Sequence, residues 1–193
     1  GFEVTGVDSD PALTAEVARR ARERGVSVAV VTADVREISL LRRSFALAIA
    51  PMQLVQLLGG AAGRAAMLRG VQRHLMRGGR FAAALAHPAA TLVGEDAAPP
   101  LPDVLERGGW VLSSQPLDVR LDEGGVAVDR LRQLVSPAGE LSDELHTVHL
   151  DAVTPDELEE QARAAGLAPV ARRAIAETAD HVGSTVVILE SPA

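Results

Sequence analysis

Residues 2–13, FEVTGVDSDPAL, hold the fold in miniature: an apolar run, an acidic residue where the run stops, and a helix start. Val4 to Val7 reads as a buried strand that ends at Asp8. Asp10 then offers a capping carboxylate, and Pro11 has the fixed φ that suits a first helical position. A strand that delivers a carboxylate at its C-terminal end and runs straight into a helix is the unit with which nucleotide-binding folds engage a ribose. The glycine loop that accompanies such units has no counterpart ahead of Asp8, so the sequence predicts either a truncated product or a protein lacking half of this site.

Strands and helices continue to alternate outward from this unit. Leu13, Val17 and Ala21 recur at four-residue spacing, which predicts a helix face buried against a sheet, and Gly25 supplies the stop. Val26 to Val31 is a valine-rich run, the pattern of a strand covered on both faces, and it ends at Ala33-Asp34. A third run, Phe45 to Ala50, is stopped by Pro51; Met52 to Leu58 then predicts a short helix before Gly59-Gly60. A helix from Arg64 to Met76 carries Leu68, Val71 and Leu75 inward, Gly78-Gly79 ends it, and Phe81 to Ala86 forms the next strand. Four such runs with helices between them predict an α/β fold: a Rossmann-like, doubly wound, mostly parallel sheet.

The second half changes character. Residues 88–109 read as a loop with at most a short helix at Pro102 to Glu106. Val111 to Leu121, Val126 to Val135 and Leu145 to Val153 read as three strands, an antiparallel β-meander inserted over residues 110–153 of a single domain 1–193. Thr154-Pro155-Asp156-Glu157 is a capping box that opens a helix carrying Leu158 and Ala162, stopped at Gly166. A strand at Pro169 to Ile175, a turn at Asp180 to Gly183 and a strand at Thr185 to Leu189 predict an antiparallel pair.

Composition narrows the function classes. The 193 residues are 47% hydrophobic, enough for one domain with a full core. A net charge of -7 and a pI near 5.2 argue against nucleic acid as the partner, because phosphate neutralisation needs a basic face. The absence of cysteine excludes disulfides, thiolate metal sites and a cysteine nucleophile. No run approaches the roughly 20 apolar residues of a membrane span, and no signal-peptide pattern opens the sequence, so a cytoplasmic location is the expectation. Basic residues are all Arg and Ala is abundant, the codon bias of a GC-rich bacterial genome.

The succession VTGVDSDPAL, ADV, FALAIAPMQLVQLL, LRGVQRHLMRGGRF, TPDELEEQARAAGL and STVVIL resembles the class I S-adenosylmethionine-dependent methyltransferases, and the inserted meander resembles those that act on small molecules such as amino sugars. The resemblance implies S-adenosyl-L-methionine as cofactor, methyl transfer to a small-molecule acceptor, and a final strand that enters the sheet antiparallel. It further implies that Asp8 accepts from both ribose hydroxyls, that Ser9 and Asp10 flank the adenosine, that Asp34 accepts from the adenine amino group, and that the Val35 N–H donates to a ring nitrogen. Ala50 and Pro51 match the backbone that lines the methyl-transfer region. No catalytic residue is assigned, since an in-line displacement at a sulfonium needs alignment more than acid–base machinery. Two other readings stand beside it: an NAD-dependent oxidoreductase, for which Asp8 suits equally well, and a non-catalytic methyltransferase-like interaction protein.

His87, Met52 and Trp110 are candidates to face the acceptor, although a loop position for the first and core packing for the others are the commoner outcomes. His146 and His149, three apart on a strand, fall on opposite faces, so no shared metal is expected, and His181 reads as structural. An added sheet of this kind also suits an interface, which makes a homodimer the expectation for protein partners.

Overall fold

The computed structural model describes residues 1–41, 44–86, 101–178 and 183–192. Its first unit is β1 (Val4–Asp8), α1 (Pro11–Glu23) and β2 (Val28–Thr32), with the two strands parallel from Val4 opposite Val28 to Asp8 opposite Thr32. Asp10 caps α1 by accepting from the Ala12 N–H at 2.7 Å, and the Thr14 hydroxyl meets that of Thr32 at 2.7 Å, fastening the helix to the sheet. The expected buried face is only partly realised. Ala21 and Thr14 are buried, but Leu13 is 53% and Val17 42% exposed. Two strands about 4.8 Å apart are narrower than a helix about 10 Å across, so one side of the apolar stripe has nothing to lie on. For the same reason β2 is half-exposed rather than covered on both faces.

β3 (Phe45–Ala50) ends before Pro51, and the predicted short helix is a single 3-10 turn, Leu54–Gln56. Next, α2 (Gly60–His74) starts four residues earlier than its periodicity suggests, and β4 (Leu75–Ala86) follows it directly. Gly78 and Gly79 therefore do not separate helix from strand. They lie inside β4, where the parallel register jumps from Phe45–Leu75 to Leu47–Arg80. Gly78 takes φ +70°, a conformation that suits glycine, and its N–H donates to the Ser191 carbonyl at 2.8 Å while Ser191 N–H donates to Gly79 at 2.9 Å.

The insertion is a four-stranded antiparallel sheet in sequential order: β5 (Asp103–Arg107), β6 (Trp110–Asp122), β7 (Gly125–Val135) and β8 (Leu141–Asp151). The predicted helix at Pro102 to Glu106 is thus a strand, paired from Asp103–Ser114 to Arg107–Trp110. A five-residue helix cannot repay its own nucleation, whereas the neighbouring β6 offers a full ladder. The turn Gly108-Gly109 has positive φ at both residues, which joins the two strands in the tight hairpin that twisted ladders favour.

α3 (Pro155–Ala164) opens with the predicted capping box in both directions: Thr154 Oγ1 accepts from Glu157 N–H at 3.2 Å, and Glu157 accepts from Thr154 N–H at 2.7 Å. β9 (Ala168–Ile175) and β10 (Ser184–Glu190) complete a sheet of order β3-β4-β10-β9, in which β10 is antiparallel to both neighbours. The core lies between this sheet and α2 and α3, around Leu68, Phe81, Leu158, Val187 and Leu189. The whole is an α/β fold with several sheets. Among the described residues β1 pairs only with β2 and β3 only with β4, so the parallel strands form two separate ladders.

Candidate functional site

The parallel pairing of β1 and β2 brings two carboxylates to one edge. The Ala33 N–H donates to the Asp8 carbonyl at 2.9 Å, extending the ladder past Thr32, the register partner of Asp8, so that Asp34 stands two residues beyond the end of β2. Asp8 Oδ1 accepts from the Asp10 N–H at 2.8 Å, which orients the carboxylate; no hydrogen bond reaches its other oxygen among the described residues. Ser9 is exposed between them. Asp34 caps a 3-10 turn, Val35–Glu37, by accepting from Arg36 N–H at 2.8 Å, and its second oxygen receives the Arg36 guanidinium at 2.6 Å. These bonds from Arg36 hold the Asp34 carboxyl below the ordinary aspartate range. The half-buried Val35 side chain packs against the main core, and as the first residue of its turn its N–H has no partner within it.

Ala50 and Pro51 sit at the corresponding end of β3, the first buried and the second exposed. Met52 follows with φ +56°, a left-handed conformation unusual for a residue with a Cβ, and is 75% exposed. Neither Met52 nor Trp110 is a core residue. The predicted site residues therefore fall into two groups. Asp8, Ser9, Asp34 and Val35 share the β1–β2 edge, Ala50 and Pro51 share the β3 edge, and no ladder joins the two groups among the described residues.

Sequence reasoning missed a buried polar junction beside the second group. The Arg64 and Asp151 side chains, 6% and 11% exposed, pair at 2.8 Å; Asp151 also accepts from Gly60 N–H at 2.6 Å, and Arg64 Nε donates to Gln161 at 3.0 Å. The fully buried Gln56 amide accepts from Ala86 N–H at 2.9 Å and donates towards the Ala86 and Asp151 carbonyls at 3.4 and 3.5 Å. This junction ties the end of β8 to the 3-10 turn at Gln56, the start of α2, α3 and the end of β4. Its partners lie 30 to 97 residues apart, so no local pattern announces them.

His146 and His149 pair opposite Arg130 and Ala127, an odd spacing that turns them to opposite faces of β8. His87 and His181 lie outside the described residues. A cavity of about 660 Å³ sits on the meander at the end of β8 opposite Asp151, where Asp103, Leu105, Leu112, Arg132 and Glu144 line it.

Residues 1–79 match the family model described as a methyltransferase domain. No curated protein matches the chain in sequence. Among solved structures, an S-adenosylmethionine-dependent methyltransferase from Clostridium acetobutylicum is similar at TM-score 0.75 and 12% identity, over 100% of this chain and 76% of that one. The CcbJ methyltransferase from Streptomyces caelestis gives 0.71 at 19% identity, over 100% and 76%. The sugar N-methyltransferase KedS8 from Streptoalloteichus gives 0.67 at 19%, over 95% and 70%. At such identities the likeness is one of fold. Residues 1–79 are thus similar to a methyltransferase domain, and the fold is the one seen in S-adenosylmethionine-dependent methyltransferases.

Proposed function

We propose that this chain serves S-adenosylmethionine-dependent methyl transfer to a small-molecule acceptor. The observation that carries the reading is the paired carboxylate edge of β1 and β2, which falls within the segment that matches the methyltransferase domain. When bound, the cofactor supplies an electrophilic methyl group on a sulfonium centre. The donor set suits its nucleoside end: Asp8 has one oxygen oriented by Asp10 and another available for a ribose hydroxyl, Ser9 lies exposed beside it, and Asp34 with the Val35 N–H offers an acceptor and a donor to a purine edge. Ala50 and Pro51 present the backbone of a second strand end to the methyl-transfer side. Acceleration in this reading comes from alignment, and no side chain is given the role of base.

The same reading takes β1–β2 and β3-β4-β10-β9 as the two wings of one Rossmann-like doubly wound sheet in a single domain, with the meander over residues 110–153 as its insertion. It also includes a cytoplasmic location and a homodimer through the meander, where Leu105, Trp110 and Leu112 are exposed and share one face by register. Sedimentation of the protein and of a Leu112→Glu variant tests the dimer: a monomeric wild type refutes it.

Titration with S-adenosylhomocysteine and with NAD tests the main reading. S-Adenosylhomocysteine binds, and Asp8→Ala weakens it roughly ten- to hundredfold, as the loss of charge-assisted hydrogen bonds dictates. Binding of NAD alone establishes the oxidoreductase reading instead, and binding of neither leaves the non-catalytic interaction protein.

A further inference from the structure

We infer that His74, at the C-terminal end of α2, is a positioning residue that sets how the β1–β2 carboxylate edge stands relative to the end of β3. The inference rests on the cofactor reading above for its consequence, and on the following geometry for its substance. His74 is buried, and its ring is used at both nitrogens: Nε2 accepts from the Leu40 N–H at 2.8 Å, and Nδ1 faces the Gly70 carbonyl at 2.7 Å. An N–H aimed at Nε2 leaves that nitrogen without a proton, so Nδ1 is the donor to Gly70. The imidazole thereby links the last turn of α2 to the connector that leads out of Asp34.

A second contact one turn earlier holds the same connector. A Cβ on Gly70 would lie 2.6 Å from Ile38 Cγ2, so only glycine lets Ile38 seat against the helix, and the Val35 carbonyl lies within 3.6 Å of the same point. Val35 itself packs on the main core. Asp34 to Leu40 is therefore docked on α2 through Val35, Ile38 and Leu40, whereas no strand ladder connects β1–β2 to β3 among the described residues. Among the described residues the docked connector is therefore what spans from the β1–β2 edge to the body that carries β3. Among the same residues His74 supplies the connector's one side-chain hydrogen bond from α2.

The test uses the absence of cysteine, which makes introduced thiols unique. Spin labels on Ser9→Cys and Met52→Cys, both exposed, report the distance between the two edges by pulsed dipolar spectroscopy. His74→Phe keeps a ring and removes both nitrogens; His74→Gln keeps an acceptor and a donor. The label distance is expected to shift or broaden in His74→Phe and to return in His74→Gln. On the unlabelled protein, S-adenosylhomocysteine affinity falls about tenfold in His74→Phe, the equivalent of one buried hydrogen bond, and recovers in His74→Gln. Leu40→Pro deletes the donor while leaving α2 intact and is expected to reproduce both changes, which keeps the test decisive if His74→Phe does not fold. An unchanged label distance, a shifted distance with unaltered affinity, or failure of glutamine to rescue overturns the proposal. If the wild type takes up no S-adenosylhomocysteine, the cofactor reading fails, and the distance measurement alone decides the role of His74.

Discussion

The β1–α1–β2 unit and the β3-β4-β10-β9 sheet are built from similar sequence patterns and end in different states. Leu68, Phe81 and Leu189 are fully or almost fully buried, while Val4, Leu13 and Val17 in apparently equivalent positions are about half exposed. The difference is one of layers. Four strands with α2 and α3 packed on them close a core, whereas two strands and one helix leave the helix overhanging. An apolar stripe records what an element is able to bury, and the width of what it meets decides how much is buried.

The sharpest way to break this comparison is truncation of matched apolar side chains. Phe81→Ala is expected to cost about 3–5 kcal/mol in urea unfolding, as buried aromatic truncations do. Leu13→Ala is expected to cost within about 0.5 kcal/mol of nothing, as at surface sites. Equal costs would mean that the two units are equally well buried. The Arg64–Asp151 pair comes next: Arg64→Met leaves a buried carboxylate without its counter-charge and should cost about 3 kcal/mol or more by the same measurement. A near-neutral result would show that the junction binding the meander to the body is not held by charge.

Hydrogen exchange sharpens the same contrast in time rather than energy. Amides of β1 and β2 are expected to exchange through local opening, well before those of β4 and β10, which require opening of the main core. Simultaneous exchange would merge the two units into one cooperative body. A smaller effect than that of the buried ion pair concerns the caps. Thr154→Ala should cost about 1 kcal/mol by removing one half of a capping box. Bonds from Thr154, first its backbone N–H and then its hydroxyl, hold the Glu157 carboxyl below the ordinary glutamate range. Its contribution is therefore complete above the ordinary glutamate value and is lost as acid carries the pH down through the lowered one. Circular dichroism across this range should show α3 fraying, while Glu157→Gln flattens the dependence.

Local chemistry made much of the fold readable. Asp10-Pro11 and the Thr154–Glu157 box fixed two helix starts, and the alternation of apolar runs predicted β1, β3 and the β9–β10 pair to within a residue or two. The errors arose where tertiary pairing outweighs local preference. Pro102 to Glu106 has a helix-like start but is captured by β6, and Gly78-Gly79 looked like a stop yet serves as a kink held by Ser191. Of the candidate site, Asp8 and Asp34 were visible because each closes an apolar run. Gln56, Arg64, His74 and Asp151 were not, since each acquires its meaning from a partner remote in sequence.

The position of β10 has a consequence for how this molecule is assembled. It is the last described strand in sequence but an interior one in space, pairing with β4 across some hundred residues on one side and with β9 on the other. A ribosome releasing this chain residue by residue delivers the keystone after the stones it joins. Until residues 184–190 emerge, β4 presents an apolar edge with no neighbour on that side, and loop closure over such a separation is slow. Refolding should therefore be rate-limited by the docking of β10, and the nascent chain is most prone to aggregate in the interval just before it arrives.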